Sequence, residues 1–288
     1  MDKSKILIQL DTDVQPSVFD RVVAVDAGVD HLFSYGGVKP EQVEFLAHGA
    51  IFTRSPNDLR RTAIFIGGSD VTIGEQVLAK IRDVFRTAGL SVSVMLDSNG
   101  SNTTAAAAVR AAVKHMDIDT ANALILGGTG PVGQRAALML ARNGAHVRIG
   151  SRQMPRAEAV CQAIRAKVPN ARVEAVSTTS SADGPKALEG RDLVIASGAA
   201  GAVLLPQKIR ATCSTLRVAI DLNAVPPVGI EGIEIFDKAV TRDNTVCYGA
   251  IGVGGTKMKI HRAAIAQLFE RNDLVLDAEE IYDLSLRL

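Results

Sequence analysis

The sequence predicts an α/β fold with parallel sheets, organised as two domains. Three observations carry that prediction. Short apolar, β-rich runs alternate with segments of three- and four-residue hydrophobic spacing from end to end, the pattern of strands joined by crossover helices. A glycine-rich loop stands between one such strand and the helix after it. The chain has 288 residues, 47% hydrophobic and 22% charged, enough to bury roughly three quarters of its unfolded surface in one large or two ordinary domains.

In chain order, residues 6–10 read as a first strand. Pro16 suits the first turn of a helix carrying Val18, Phe19, Val22 and Val23, which stops near Gly28. Residues 63–66 and 92–96 read as further strands, and between them Val77, Ile81, Val84 and Phe85 mark a helix ended by Gly89. The polar run Asp97-Ser98-Asn99-Gly100-Ser101-Asn102-Thr103-Thr104 follows a strand end and precedes an Ala-rich helix over about 105–115. Residues 117–122 read as a linker. A second series begins at 123–126 and continues through strands near 146–150, 172–177, 193–196, 217–221 and 245–249. Residues 256–288 read as two helices separated around Asn272, expected to return to the first domain.

Composition narrows the function. Lys and Arg number 32 against 31 Asp and Glu, so no global field points to nucleic acid or an anionic membrane. The absence of Trp and an aromatic content of 4% argue against base stacking. Cys161, Cys213 and Cys247 make neither a disulfide framework nor a zinc spacing, and are expected to be buried structural thiols. His31, His48, His115 and His146 have no ligand-like spacing, so no metal site is expected. Residues 1–10 hold no secretory h-region, and the weakly polar stretch 193–206 is broken by Ser197, Gly198 and Gly201. A soluble, cytoplasmic protein is the expectation.

The chemistry starts at Leu126-Gly127-Gly128-Thr129-Gly130-Pro131-Val132-Gly133, with glycines 128, 130 and 133 in G-x-G-x-x-G spacing. That spacing alone is weak, but here it follows an apolar strand and opens a helix. The first glycine allows a tight turn, the second admits a pyrophosphate and the third lets helix and strand approach, while the helix amides face the phosphate charge. Gly128, Thr129, Gly130, Pro131, Val132 and Gly133 are therefore expected to bind a dinucleotide on a Rossmann-type doubly wound sheet; a plain βα turn is the alternative. About twenty residues on, an NAD enzyme places a carboxylate for the ribose. This chain has Ser151 and Arg152 there, a hydroxyl and a guanidinium that suit a phosphate monoester. NADP is expected in preference to NAD, unless Arg152 is only a solvated charge. Ser197-Gly198 and the run 249–255, including Gly252, recur where later strands end and would let a nicotinamide ring lie close to backbone; turn chemistry explains them equally well.

Other candidates sit outside that loop. Lys257 and His261 are four apart and share a helix face, able to project into an interdomain cleft or to make a solvated basic helix. Asp11, Asp13 and the run 97–104 concentrate hydrogen-bonding groups at strand ends, as a polar ligand needs and as helix caps also require. Tyr35 and Lys39 match Tyr-x-x-x-Lys, but two glycines lie between them and Pro40 disfavours α conformation at Lys39, so the match is read as chance.

Several segments together carry a resemblance: Asp11-Thr12-Asp13, Pro16-Ser17-Val18-Phe19-Asp20, the run from Asp97 through Thr104 into Ala105-Ala106-Ala107, the glycine loop, Asn223-Ala224-Val225-Pro226-Pro227, Gly249-Ala250-Ile251-Gly252, Lys257 with His261-Arg262, and Asp277-Ala278-Glu279-Glu280-Ile281-Tyr282. Over nearly its whole length the chain resembles the NAD(P)-dependent methylene-tetrahydromethanopterin dehydrogenases of bacterial one-carbon metabolism. The resemblance implies a Rossmann NAD(P)-binding domain at 117–256 and a smaller α/β pterin-binding domain at 1–116, completed by 257–288. It implies reversible oxidation of methylene- to methenyl-tetrahydromethanopterin with NADP, activity on methylene-tetrahydrofolate being possible, and a homo-oligomer, a trimer or a multiple of one. It places Lys257, His261 and Thr103 at the reaction, Asp13, Phe19 and Asn102 on the pterin, and Asn223 on the cofactor side.

Loss of hydride from the bridging methylene leaves a cation stabilised by two flanking nitrogens, so no proton need move and no general base is required. Catalysis then consists largely of holding the donor carbon against the nicotinamide. One departure matters: Gln153 stands where family members carry a second basic residue after the Arg, which keeps NAD open as a cofactor. Two other classes stay open. A shikimate- or amino-acid-type dehydrogenase needs a proton carrier, for which Lys257 would have to meet Asp97 or Asp221. An NADP-binding sensor without turnover would not require the polar strand-end run.

Overall fold

The structure is a computed structural model that describes residues 3–180 and 183–288. Its strands, in chain order, are β1 (Ile6–Asp11), β2 (His31–Tyr35), β3 (Thr62–Gly67), β4 (Ser93–Leu96), β5 (Asn122–Leu126), β6 (His146–Ser151), β7 (Arg172–Ser177), β8 (Leu193–Ala196), β9 (Val218–Asp221), β10 (Lys238–Arg242), β11 (Thr245–Tyr248) and β12 (Val275–Leu276). The α-helices are α1 (Val18–Asp26), α2 (Val43–Phe52), α3 (Val71–Ala88), α4 (Ser101–Val113), α5 (Pro131–Arg142), α6 (Met154–Lys167), α7 (Asp183–Leu188), α8 (Gln207–Arg210), α9 (Ala250–Gln267) and α10 (Ala278–Ser285). The chain divides into two compact units, one of residues up to Thr103 with Met258–Leu288, the other Thr104–Lys257. The first division falls inside α4 and not in the stretch 117–122 expected to link the domains.

In the first unit five parallel strands run in the order β12-β4-β3-β1-β2. The chain leaves β1 for β2 on one side and returns to β3 on the other. The order thus reverses between β1 and β3, the topological switch point at which open α/β sheets bind ligands. Strand β3 is buried along its length because both faces are covered. Against it packs α3, whose Val77, Ile81, Val84 and Phe85 form the buried stripe that the spacing predicts. Asp70 caps α3 by accepting the Ile73 amide (2.9 Å), and Gly89 ends it in a left-handed conformation (φ 66°).

The second unit has seven strands in the order β10-β11-β9-β8-β5-β6-β7, all parallel except β10. Its six parallel strands follow the 3-2-1-4-5-6 order of a Rossmann sheet, with reversal between β5 and β8. Strands β8 and β9 are buried throughout, as is β5 beyond Asn122.

Several elements depart from expectation. The first helix starts after Pro16, with Ser17 as its cap. Strand β2 is absent from the sequence pattern because, at the sheet edge, His31, Phe33 and Tyr35 stay exposed. The run 249–255 is not a strand-end loop: α9 begins at Ala250 and includes Gly252, Gly254 and Gly255. Around Asn272 the chain does not simply join two helices, because Val275 and Leu276 pair with Val94 and Met95 of β4. Among the described residues no helix is long and apolar enough to cross a membrane. Cys161 and Cys247 are buried free thiols, and Cys213 is partly exposed.

Candidate functional site

The carboxyl ends of the Rossmann strands gather most of the expected cofactor residues. Gly127 provides the turn after β5, with φ 70°, so the left-handed position is one residue earlier than the motif suggests. A side chain on Gly127 would meet the Gly198 α-carbon at 2.5 Å; the loops after β5 and β8 thus touch backbone to backbone. Gly133 is enclosed in the same way, by the Gly127 carbonyl, the Gly128 α-carbon and the Ser197 hydroxyl, each 2.8 Å from where a β-carbon would sit. Gly130, the residue preceding helix residue Pro131, has no such crowding, its nearest neighbour being the Gly127 carbonyl at 3.4 Å. The loop is therefore least crowded at Gly130, which precedes a helix with no acidic residue in its first turn. The Gln134 side chain donates to the Thr129 carbonyl (2.7 Å) and steadies the loop, while Val132 follows Pro131 in the first turn of α5.

Ser151 ends β6 and is nearly buried, its hydroxyl accepting the Gln153 amide (3.1 Å). Arg152 is exposed, and the Thr179 hydroxyl donates to its carbonyl (3.2 Å). Asn223 joins the loops after β8 and β9 by donating to the Ala199 carbonyl (3.4 Å). Its amide donates to Asp221 (2.9 Å), as does that of Ile230 (2.7 Å). Burial pushes the Asp221 carboxyl up, against the opposing pull of the Asn223, Ile230 and Gly229 amides. Gly252 differs from the rest: a β-carbon there would fall 1.7 Å from the Asp237 carbonyl, so packing of α9 on that backbone is sufficient reason for the glycine.

The first unit carries a second polar constellation at its switch point. Asp11 is fully buried at the end of β1 and accepts the amides of Asp13 (2.9 Å) and Ser17 (3.0 Å). Asp13, exposed, accepts the hydroxyl (2.6 Å) and amide (3.0 Å) of Ser69 in the loop after β3. Asp97 after β4 accepts the amides of Asn102 (2.9 Å) and Thr103 (3.1 Å) and the Thr103 hydroxyl (2.6 Å). Asn102 donates to the Leu96 carbonyl (2.6 Å) and to Asp277 (3.0 Å), the residue that caps α10. Asn102 and Thr103 are thus fully enclosed, and the bonds they make are those of a framework that shapes the strand-end loop.

Aromatic groups complete this end. The His261 ring of α9 is buried and stacked on Phe65 of β3 (centroids 5.5 Å, planes 28° apart). Phe19 of α1 lies 6.4 Å from the same imidazole and is half exposed. The structure therefore brings Phe19 and His261 together. Lys257 is partly buried on α9, four residues before His261 and last in the Rossmann unit. Tyr35 ends β2 and Lys39 is extended (φ −115°, ψ 156°) before Pro40, so the pair does not share a helix, as Pro40 requires. Two contributors escaped sequence reasoning, Phe65 and the Ser69 loop. The signal for the latter was Ile66-Gly67-Gly68-Ser69-Asp70, two glycines and a cap directly after an apolar strand. Among the described residues no three His, Cys, Asp or Glu side chains converge as a metal ion needs.

Comparison with known proteins adds sequence and fold relatives. A family model described as methylene-tetrahydromethanopterin dehydrogenase, N-terminal, matches residues 18–99. A Methylorubrum extorquens protein named bifunctional protein MdtA is 43% identical over 283 residues, 98% of each chain. From the same organism, NAD(P)-dependent methylenetetrahydromethanopterin dehydrogenase is 30% identical over 282 residues, 94% of each chain. Among solved structures, shikimate 5-dehydrogenase from Listeria monocytogenes, in complex with shikimate and NAD, superposes with a TM-score of 0.53 at 12% identity, covering 98% of this chain and 96% of that one. Quinate dehydrogenase from Corynebacterium glutamicum, in complex with NAD, gives 0.51 at 13% identity and 99% of each. These two likenesses speak for the fold.

Proposed function

We propose a reaction for this chain from the premise that it belongs to the methylene-tetrahydromethanopterin dehydrogenase family. It is an NAD(P)-dependent oxidoreductase that moves a hydride between methylene-tetrahydromethanopterin and the nicotinamide cofactor. The observation that carries the cofactor side is the loop after β5, tightly closed at Gly127 and Gly133 and least crowded at Gly130, before the N-terminus of α5. Bound NADP supplies the hydride acceptor. Residues Gly128 to Gly133 would hold its pyrophosphate, and Ser197, Gly198 and Asn223 would line the loops beside the glycine turn. Ser151 and Arg152 would hold the 2′-phosphate, which makes NADP the preferred cofactor and leaves NAD as a weaker one.

On the substrate side Phe19, half exposed beside the buried His261, offers a face on which a pterin ring can stack. Asp13 offers a carboxylate at the switch point. Thr103 and Asn102 act as positioning residues, through Asp97 and Asp277. Lys257 binds pterin polar atoms and abstracts no proton, and His261 supports Phe19 from behind. The Lys–Asp pair of shikimate-type enzymes finds little support, since Asp97 and Asp221 each hold amides of their own loops. The assembly is a homo-oligomer, a trimer or a multiple of one. A cytoplasmic location is part of the proposal and fits the free thiols.

The test is initial rate with methylene-tetrahydromethanopterin and methylene-tetrahydrofolate, each with NADP and with NAD. NADPH formation with the methanopterin substrate is the expected result; four inactive pairings alongside tight NADP binding would leave the sensor alternative. For Lys257→Ala the expected result is a raised KM with an unshifted pH profile. A new apparent pKa in that profile would overturn the binding role.

A further inference from the structure

A phosphate monoester carries about 1.5 to 2 negative charges at neutral pH, so one guanidinium leaves part of a 2′-phosphate unbalanced. The end of β6 holds a second guanidinium. Helix α6 begins at Met154 with Gln153 as its cap, and Arg156 stands third in its first turn, exposed like Arg152. The Arg156 amide donates to the Gln153 carbonyl (3.1 Å), which folds this residue back beside the end of β6. Neither guanidinium has a hydrogen bond or ion pair among the described residues. On a helix surface a counter-ion for Arg156 would stand three or four positions away, and those positions hold Arg152, Gln153, Ala159 and Val160.

We propose that Arg156 is a second specificity-determining residue for the cofactor, gripping the 2′-phosphate together with Arg152 and supplying the charge that Gln153, between them, does not carry. The proposal rests on the reading of this strand end as the site of that phosphate. Two like charges stand at the start of α6, where the helix dipole already disfavours cations, and the first turn holds no acidic residue to balance them. The carboxylate of the adjoining loop is engaged elsewhere: Asp183 accepts the Ser177 hydroxyl (2.7 Å) and the amides of Thr179 and Ser180 (3.0 Å each). That loop is also tied to β6, by the Thr178 amide on the Ser151 carbonyl (3.0 Å) and the Thr179 hydroxyl on the Arg152 carbonyl (3.2 Å). Backbone on both sides of Arg152 is thus fixed, by this loop and by the turn into α6, while both charged groups stay free for a ligand. A dianionic phosphate between two guanidiniums balances the charge and takes up their planar donors. A plain ribose hydroxyl does neither, so the second arginine adds to selection of NADP over NAD.

Calorimetric titration of the full-length wild type, Arg156→Gln, Arg156→Lys and Arg152→Gln with NADP, NAD, AMP and 2′-phosphorylated AMP tests the proposal. For Arg156→Gln the expected result is NADP and 2′-phosphorylated AMP bound about tenfold more weakly, with NAD and AMP nearly unchanged. Arg156→Lys, which keeps the charge without the planar fork, is expected to recover part of that loss. Both positions are exposed, so circular dichroism of the variants is expected to match the wild type. An equal loss for NADP and NAD, or no loss for either, would overturn the role of Arg156. Arg152→Gln then separates two failures. A selective loss of NADP in that variant keeps this strand end as the phosphate site, served by Arg152 alone. No selective loss in either variant would move the phosphate elsewhere and end the cofactor reading of this strand end as well.

Discussion

At the end of β6 stands Arg152, the side chain proposed to set the choice between NADP and NAD. It is exposed beside a nearly buried Ser151, in a position where a ribose-binding carboxylate would repel a phosphate. Arg152→Ala is expected to weaken NADP binding about 10- to 100-fold, the loss of roughly 1.5–3 kcal/mol of charge-assisted hydrogen bonding, and to leave NAD nearly unaffected; fluorescence titration with both cofactors reads the difference. Away from the site, His146 is held below the ordinary imidazole value by burial first and then by Arg191, with Glu174 opposing. His115 is lowered by burial and by Lys114. A folded state that binds protons less readily than the unfolded chain loses stability as pH falls through the ordinary imidazole range. Glu174, held down mainly by its hydrogen bond from Arg148, adds a loss in the same direction at lower pH. The melting temperature is therefore expected to fall between about pH 7 and pH 5, and less steeply in His115→Gln/His146→Gln.

Among the elements, α5 and α9 show two different uses of glycine. Gly133 lets α5 approach the β5 turn, so Gly133→Val must push helix and loop apart at 2.8 Å contacts. A cost of about 1–3 kcal/mol is expected for that overpacking, with a weaker affinity for NADP seen by calorimetry. Gly255 in α9 is exposed and a β-carbon there would meet nothing within 4 Å. Gly255→Ala is expected to stabilise the protein by about 0.5–1 kcal/mol through helix propensity; a loss of stability in a denaturant melt would show that α9 does not continue through this position. The elements hidden from sequence reasoning share a cause. β2 exposes alternate residues, β10 is an exposed edge strand held by β11, and β12 is two residues that become a strand only by pairing with β4. Each is made by a neighbour distant in sequence, so local pattern carries little of it.

For the molecule as a whole, hydride transfer without proton transfer has a kinetic signature. The single-turnover rate is expected to stay flat between about pH 6 and 9, because no group must change protonation in the step; a base-limited rise in that window would instead favour a dehydrogenase of the Lys–Asp type. By itself the sequence determined the α/β class, the glycine turn after β5, the lack of a carboxylate at the end of β6, the α3 stripe and the polar run after β4, since each is written in a local period or an adjacent set of residues. Only the tertiary structure decided that Asn102 and Thr103 are enclosed framework bonded to Asp97 and Asp277, and that Phe65 and Phe19 flank His261. It alone showed Gly252 packed on the Asp237 carbonyl. The physical reason is separation. Asp277 lies 175 positions from Asn102, and whether a polar side chain is satisfied inside the protein or left to meet a ligand depends on which distant strands and helices close over it.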